Sequence, residues 1–186
     1  MKNKLFELTD LYLNSHDFML IGIDGNSGAG KSTLSRELLS KYDCNLFRTD
    51  DFFLPPERKT ILRLDEIGGN VDYERINSDV ILPLLRREPF VYKAFDCRCN
   101  QQGDDIFVPV KKLNIIEGVY SLHPFFKNVF SLRVLMRCDK NTQLARITAR
   151  NGTELAERYR REWIPLEDKY LCTLKYFDVF IETTYD

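Results

Sequence analysis

The sequence predicts an α/β domain in which a parallel five-stranded sheet carries helices on both faces and a small hairpin is inserted. Three observations lead there. The apolar run Phe18–Ile23 feeds directly into Gly25–Ser32, GNSGAGKS, which matches G-x-x-x-x-G-K-[ST], and a segment of helical period follows it. Further short apolar runs then alternate with amphipathic ones, the pattern of strands joined by crossover helices. No linker, internal repeat or low-complexity stretch divides the 186 residues, so residues 1–186 are expected to form one domain.

Taken in order, Leu5, Leu8 and Tyr12 predict an amphipathic helix beside the first strand. Phe18–Ile23 reads as a fully buried strand, and Leu34, Leu38 and Leu39 mark the inner face of the next helix. Asp43–Thr49 is a second short strand, ended by Asp50-Asp51-Phe52-Phe53-Leu54-Pro55-Pro56. Thr60–Tyr73 shows no clear period and contains Gly68-Gly69-Asn70, so it reads as a loop. Asn77 or Ser78 then caps a helix through Arg87, with Val80, Ile81, Leu84 and Leu85 as its apolar face. Residues 89–111 form the hairpin insertion: strands Pro89–Asp96 and Ile106–Lys111 around a long polar turn, with Pro109 arguing for an edge. Lys112–Glu117, Ser131–Cys138 and Asp178–Glu182 complete the five strands. Asn141–Arg150 is a helix with Leu144 and Ile147 inward and Asn151-Gly152 as its stop. Glu154–Trp163 is another, highly charged and ending near Pro165.

Composition excludes several classes. With 27 basic and 28 acidic residues, a net charge of −1 gives no general drive toward nucleic acid or an anionic membrane. No apolar run nears the ~20 residues of a membrane span. Glu7, Asp10 and Asn14 interrupt the N-terminal segment, so it does not read as a signal peptide. Five cysteines without zinc spacing read as reduced thiols, and the expectation is a cytoplasmic protein. His16 and His123 stand apart from plausible partners, which leaves no histidine triad or metal cluster.

The glycine-rich loop carries the chemistry. Gly25, Gly28 and Gly30 allow positive φ and close approach of the backbone, so the loop amides can converge on an anion at a helix N-terminus. Gly25, Asn26, Ser27, Gly28, Ala29, Gly30, Lys31, Ser32 and Thr33 are therefore the expected ATP-binding residues. Lys31 should face solvent and reach the β/γ-phosphates, with the Ser32 hydroxyl on Mg²⁺. Asp50 and Glu117 each follow an apolar strand and so lie at the same sheet edge as the loop. Either could supply the carboxylate that Mg²⁺ requires or the group that orients an acceptor hydroxyl, although acids often end strands for solvation alone. Successive side chains point in different directions, so only one of Asp50 and Asp51 can face the phosphates; Asp50 is the expectation. Arg146 and Arg150 share a helical face and could reach a transferred phosphate or simply be solvated. Arg158, Arg160 and Arg161 alternate with glutamates and read as a solvated face.

Together GNSGAGKS, TDDFF at Thr49–Phe53, GGNVDYER at Gly68–Arg75, YKAFDC at Tyr92–Cys97, IIEGVYSLHP at Ile115–Pro124, RITARNG at Arg146–Gly152 and WIPLEDKY at Trp163–Tyr170 resemble the uridine kinase and phosphoribulokinase group of phosphate-loop kinases, in particular its compact bacterial uridine-kinase-like members. The resemblance implies a P-loop NTPase fold of the nucleoside-kinase type, with ATP and Mg²⁺ as cofactors. It makes Asp50 the catalytic base, Lys31, Arg146 and Arg150 the groups that stabilise the phosphoryl charge, and residues 146–162 a lid. It places Ser32 and Glu117 at the metal, and Asp50, Phe53, Asp72, Tyr92 and Glu117 around the acceptor, with Asp72 on ribose hydroxyls. The implied partner is a small-molecule hydroxyl acceptor, a riboside, with no nucleic acid or membrane partner and with a homo-oligomer left open. Nicotinamide riboside, pantothenate or a sugar remain alternative acceptors. A nucleotide-dependent regulatory protein is the alternative from another class, and Asp139-Lys140-Asn141 does not supply the N-K-x-D of a guanine-specific switch.

Overall fold

The computed structural model describes residues 2–126 and 128–184. Helix α1 (Lys2–Ser15) precedes β1 (Met19–Gly25), which leads through the glycine loop into α2 (Lys31–Lys41) and then β2 (Cys44–Arg48). A 3₁₀ turn over Thr49–Phe52 follows, then the short helices α3 (Ile61–Asp65), α4 (Tyr73–Ile76) and α5 (Leu82–Arg86). Strands β3 (Phe90–Asp96) and β4 (Gln101–Val108) form an antiparallel hairpin apart from the main sheet. Then come β5 (Leu113–Glu117), β6 (Leu132–Arg137), α6 (Lys140–Asn151), α7 (Thr153–Arg158), α8 (Ile164–Leu171) and β7 (Val179–Glu182).

The main sheet runs β2-β5-β1-β6-β7, parallel throughout. Strand β1 lies at its centre and is buried along its whole length, which is why its sequence is a continuous apolar run and not an alternation. Its side chains still divide by the two-residue period. Leu20 joins Phe47, Ile116 and Leu135 in the core under α4, α5 and α8; Met19, Ile21 and Ile23 join Ile115, Val134 and Met136 in the core under α1 and α2. The expected five-strand parallel sheet with helices on both faces is the one observed. No helix among the described residues is long and apolar enough to cross a membrane.

Three boundaries differ from expectation, each for a local reason. Residues 60–73 are not a plain loop: Thr60 caps α3, and Asp72 caps α4 by accepting from the Arg75 amide. The helix there therefore begins four residues before Asn77. It stays helical past Pro83 because Asn77–Ile81 forms a π turn, in which Leu82 donates five residues back to Asn77 O. That wider turn accommodates a proline ring that would otherwise press on a carbonyl four residues back. The same device recurs at Tyr159–Trp163, where Ile164 donates to Tyr159 O just before Pro165, so the charged helix continues to Leu171 and does not stop there. The hairpin turn is only residues 97–100. The polar residues 101–105 are strand, exposed on both faces and thus without alternation to read.

Candidate active site

Because β2, β5 and β1 are neighbours in that order, Glu117 lies in register with Ile23 on one side and Arg48 on the other. The loop begins two residues after Ile23, and Asp50 stands two residues after Arg48. Gly118 tightens this edge: a Cβ there would lie 1.9 Å from Thr49 Oγ1. Three loops from distant parts of the chain thus converge on one edge, the usual ligand position in such sheets.

The glycine loop leaves β1 at Gly25, where a Cβ would lie 1.9 Å from the Met136 carbonyl oxygen. Helix α2 starts from Gly30 in a left-handed conformation with no side-chain cap. No acceptor lies on the amides of Gly28, Gly30, Lys31 and Ser32 among the described residues, so these N–H groups and the positive helix end remain available to an anion. Other loop groups are engaged internally. The Asn26 side chain donates to Cys138 O and accepts from Cys138 N, each at 3.1 Å. Ser27 donates its amide at 2.9 Å, and its hydroxyl, to the Glu167 carboxylate. Ala29 N donates to Asn26 O and Thr33 N to Gly30 O.

Lys31 is not the outward-facing residue that spacing suggests. It is 8% exposed, and its Nζ folds back to donate to Gly25 O at 2.7 Å and Asn26 O at 3.0 Å. Ser32 Oγ donates to Glu117 Oε1 at 3.1 Å, and Glu117 is 3% exposed. Burial pushes the Glu117 carboxyl above its ordinary range; the Lys31 charge, the Ser32 bond and Arg48 oppose this, while the negative charge of Asp50 adds to it. A hydroxyl and a carboxylate oxygen so placed are hard donors that suit Mg²⁺, which keeps its other positions for water and phosphate.

Across the cleft, Asp50 is exposed and Asp51 half-buried in the 3₁₀ turn. Burial raises the Asp51 carboxyl, opposed by the charges of Arg48 and Arg75. Asp50 is thus the more exposed of the two, with its charge acting on Glu117, while Asp51 lies half-buried under the charges of Arg48 and Arg75. Arg75 lies over the Phe52 ring and donates to Asp51 O at 3.1 Å and Lys93 O at 2.6 Å, tying the turn to the hairpin. Phe53 is half-buried and pairs by its backbone with Val71. Two residues expected at the acceptor are engaged with the protein itself. Tyr92 is buried, stacked on Phe52 and edge-on to Phe47, with its hydroxyl pushed up to about 12 by burial and the Asp51 charge. Asp72 is 1% exposed: one oxygen caps α4 and the other pairs with Arg58, so packing does account for a carboxylate there.

Arg146 donates to Gly28 O and Thr183 Oγ1, each at 3.0 Å, and to Thr184 O, and so braces the loop from behind. Arg150 is exposed and donates to Asn151 Oδ1 at 2.8 Å. Tyr159, at the start of the π turn before α8, has its hydroxyl raised by burial, lowered by Arg150 and raised by the Asp50 charge. Arg158, Arg160 and Arg161 pair with Glu162 and Glu157 at the surface, as expected. His123 is not isolated: it stacks on Tyr73 at 4.7 Å and meets Ile67 O, a packing role.

Several site residues carry no local sequence signal. Asp24 is wholly buried and accepts from the amides of Gly25, Tyr120 and Leu122 and from the Tyr170 hydroxyl. Burial still raises its carboxyl to about 6, against those bonds and the Lys31 charge. Glu167, Gln143 and Arg58 belong to the same group; only their partners, far away in the chain, reveal them.

No family model matches the chain. Among characterised proteins it is 26% identical over 118 residues to uridine-cytidine kinase C of Dictyostelium discoideum, a match covering 62% of this chain but only 26% of that protein. It is 22% identical over 148 residues to a uridine kinase of Clostridium botulinum, covering 73% of this chain and 70% of that one. Its fold matches the structure of a possible uridine kinase from Bacillus stearothermophilus with a TM-score of 0.70 at 19% identity, over 97% of each chain.

Proposed function

We propose that this chain, a member of the uridine-kinase-like family of phosphate-loop kinases, moves the γ-phosphoryl group of ATP to a hydroxyl of a small molecule, with a nucleoside 5′-hydroxyl as the acceptor. The observation that carries the reading is the convergence of free loop amides, the Ser32–Glu117 pair and exposed Asp50 at one sheet edge. A switch protein needs the first two but has no use for an exposed acid across the cleft from them.

In this reading the amides of Gly28, Gly30, Lys31 and Ser32 hold the phosphates, and Lys31 exchanges its two carbonyl partners for phosphate oxygens. Ser32 and Glu117 would hold Mg²⁺, which neutralises phosphate charge when bound. Asp50 orients the acceptor hydroxyl and takes its proton. Arg150 and Tyr159 approach from the lid side, where closure keeps water from competing with the acceptor. The relatives named uridine kinase supply the nucleoside half of the proposal. The Arg58–Asp72 pair favours a second reading for the acceptor: with Asp72 buried and both its oxygens engaged, the acceptor is not read through a vicinal diol at Asp72.

Purified protein with γ-labelled ATP and Mg²⁺, offered nucleosides, 2′-deoxynucleosides, nicotinamide riboside, pantothenate and sugars, decides between them. A labelled riboside monophosphate, lost in Asp50→Asn, is expected. A best acceptor without vicinal hydroxyls would replace the riboside reading by the second. ATP consumption that no acceptor stimulates would remove the kinase.

A further inference from the structure

Helices α6 and α8 flank residues 152–163, and both end in bonds to the phosphate loop. From α8, Glu167 accepts from the Ser27 amide, the Ser27 hydroxyl and Gln143 Nε2, the last at 3.1 Å. One turn later Tyr170 donates to Asp24 at the end of β1. From α6, Gln143 reaches Glu167, and three residues on Arg146 donates to Gly28 O. Glu167 is thus the junction where α6, α8 and the loop meet. It is 4% exposed, and Gln143 beside it is fully buried.

A carboxylate in this position calls for an explanation. Burying an acid costs desolvation, and this one is buried against a loop whose free amides attract anions. Its three donors offset that cost, but a neutral side chain would fill the space without it. What a side chain of this length adds, and an apolar one would not, is a link of fixed reach and direction: its two terminal polar atoms grip both polar groups of Ser27 at once, and a glutamine amide can do the same by accepting from the Ser27 amide and donating to its hydroxyl. The segment between the two helices has points at which it can turn. Gly152 has φ +82° with open space around it, and the π turn Tyr159–Trp163 lies just before α8.

We propose that Glu167 is a positioning residue that couples residues 152–163, which overlap the expected lid over 146–162, to the phosphate loop. Nucleotide binding, which fills the amides beside Ser27, shifts Ser27; Glu167 carries that shift into α8 and the turn that precedes it. The proposal rests on the loop being an ATP site, as the kinase reading holds, but not on any acceptor.

The segment contains its own reporter. Trp163 is the single tryptophan, edge-on to Tyr159 at 4.5 Å and 4.8 Å from the Arg158 guanidinium. The test titrates the full chain with MgATP, following Trp163 emission while equilibrium dialysis measures bound nucleotide. Glu167→Gln keeps the reach and loses the charge; Glu167→Asp keeps the charge and loses the reach; Glu167→Ala loses both. In wild type and Glu167→Gln, emission is expected to change in step with occupancy. Glu167→Asp and Glu167→Ala should bind ATP within about threefold of wild type yet lose most of the emission change. Their kcat with the best acceptor should fall on the order of 10- to 10²-fold with little change in ATP KM. If Glu167→Ala fails to fold, Glu167→Asp against Glu167→Gln carries the decision. The proposal is overturned if Glu167→Asp shows the full emission change, if Glu167→Gln loses it, or if wild type binds ATP with none. Wild type that binds ATP and shifts Trp163 but phosphorylates nothing would defeat the kinase reading and leave the coupling standing. Wild type that binds no ATP would defeat both.

Discussion

Between Asp24 and Gly28 the donor side is tied to other elements at nearly every residue: Asp24 to Tyr170, Asn26 to Cys138, Ser27 to Glu167 and Gly28 to Arg146. Across the cleft, residues 55–70 bond mainly to one another through turns such as Arg58 N to Pro55 O and Gly69 N to Glu66 O. A few side chains fasten that rim, chiefly Arg58 on Asp72, Arg63 on Glu74 and His123 on Ile67 O, while Ile61 and Leu62 stand 81% exposed. Under the proposed kinase reading, polyphosphate is the same ligand in every turnover, so a braced loop costs nothing in selectivity. A rim with few buried contacts opens and closes at low free energy, as the proposed kinase reading would ask of a segment that admits an acceptor.

The sharpest way to break this comparison is to remove the donor side's charge. Lys31→Ala should cut turnover on the order of 10³-fold, the scale of a lost transition-state contact. A circular dichroism spectrum and melting profile close to wild type would accompany it. Turnover near wild type would take the loop out of the mechanism. Asp50→Asn comes next: a loss of ~10²–10⁴ in kcat with little change in ATP KM, while Asp51→Asn is mild. The reverse order in a steady-state comparison would reassign the base.

Asp24 tests the bracing itself. Its folded pKa, about 6, stands above its unfolded value of 3.8. The folded state therefore binds its proton more tightly, and the stability this supplies is complete below about pH 4 and lost as pH rises through 6. The loss, at about 1.4 kcal/mol per pH unit, is on the order of 3 kcal/mol by pH 7. Urea unfolding of wild type and Asp24→Asn between pH 4 and 7 should show wild type losing that much relative to the variant. A pH-independent difference would mean Asp24 does not titrate in the fold.

What the sequence disclosed follows the same division. The loop was legible because its chemistry demands particular residue types at fixed spacing, and Asp50 and Glu117 because each is an acid closing an apolar run. Glu167 was not, since it meets Ser27 across 140 residues and no local pattern records such a contact. Asp72 looked like a loop acid because its partner Arg58 and its cap on Arg75 exist only once the chain folds. Pro165 looked like a stop because a π turn has no sequence period of its own.

The smallest effects belong to the rim. Ile61→Ser and Leu62→Ser should change stability by no more than about 0.5 kcal/mol, as exposed positions do. They should raise the acceptor KM and leave the ATP KM unchanged. An equal rise in both would erase the distinction between the two sides.

Hydrogen exchange read by mass spectrometry addresses that distinction most directly. In the free protein, amides over 22–27 should exchange slowly and those over 56–70 quickly. MgATP alone should slow exchange at 28–33 without affecting 56–70, which becomes protected only when the acceptor is added. Slow exchange over 56–70 in the free protein, or its protection by MgATP alone, would contradict the account.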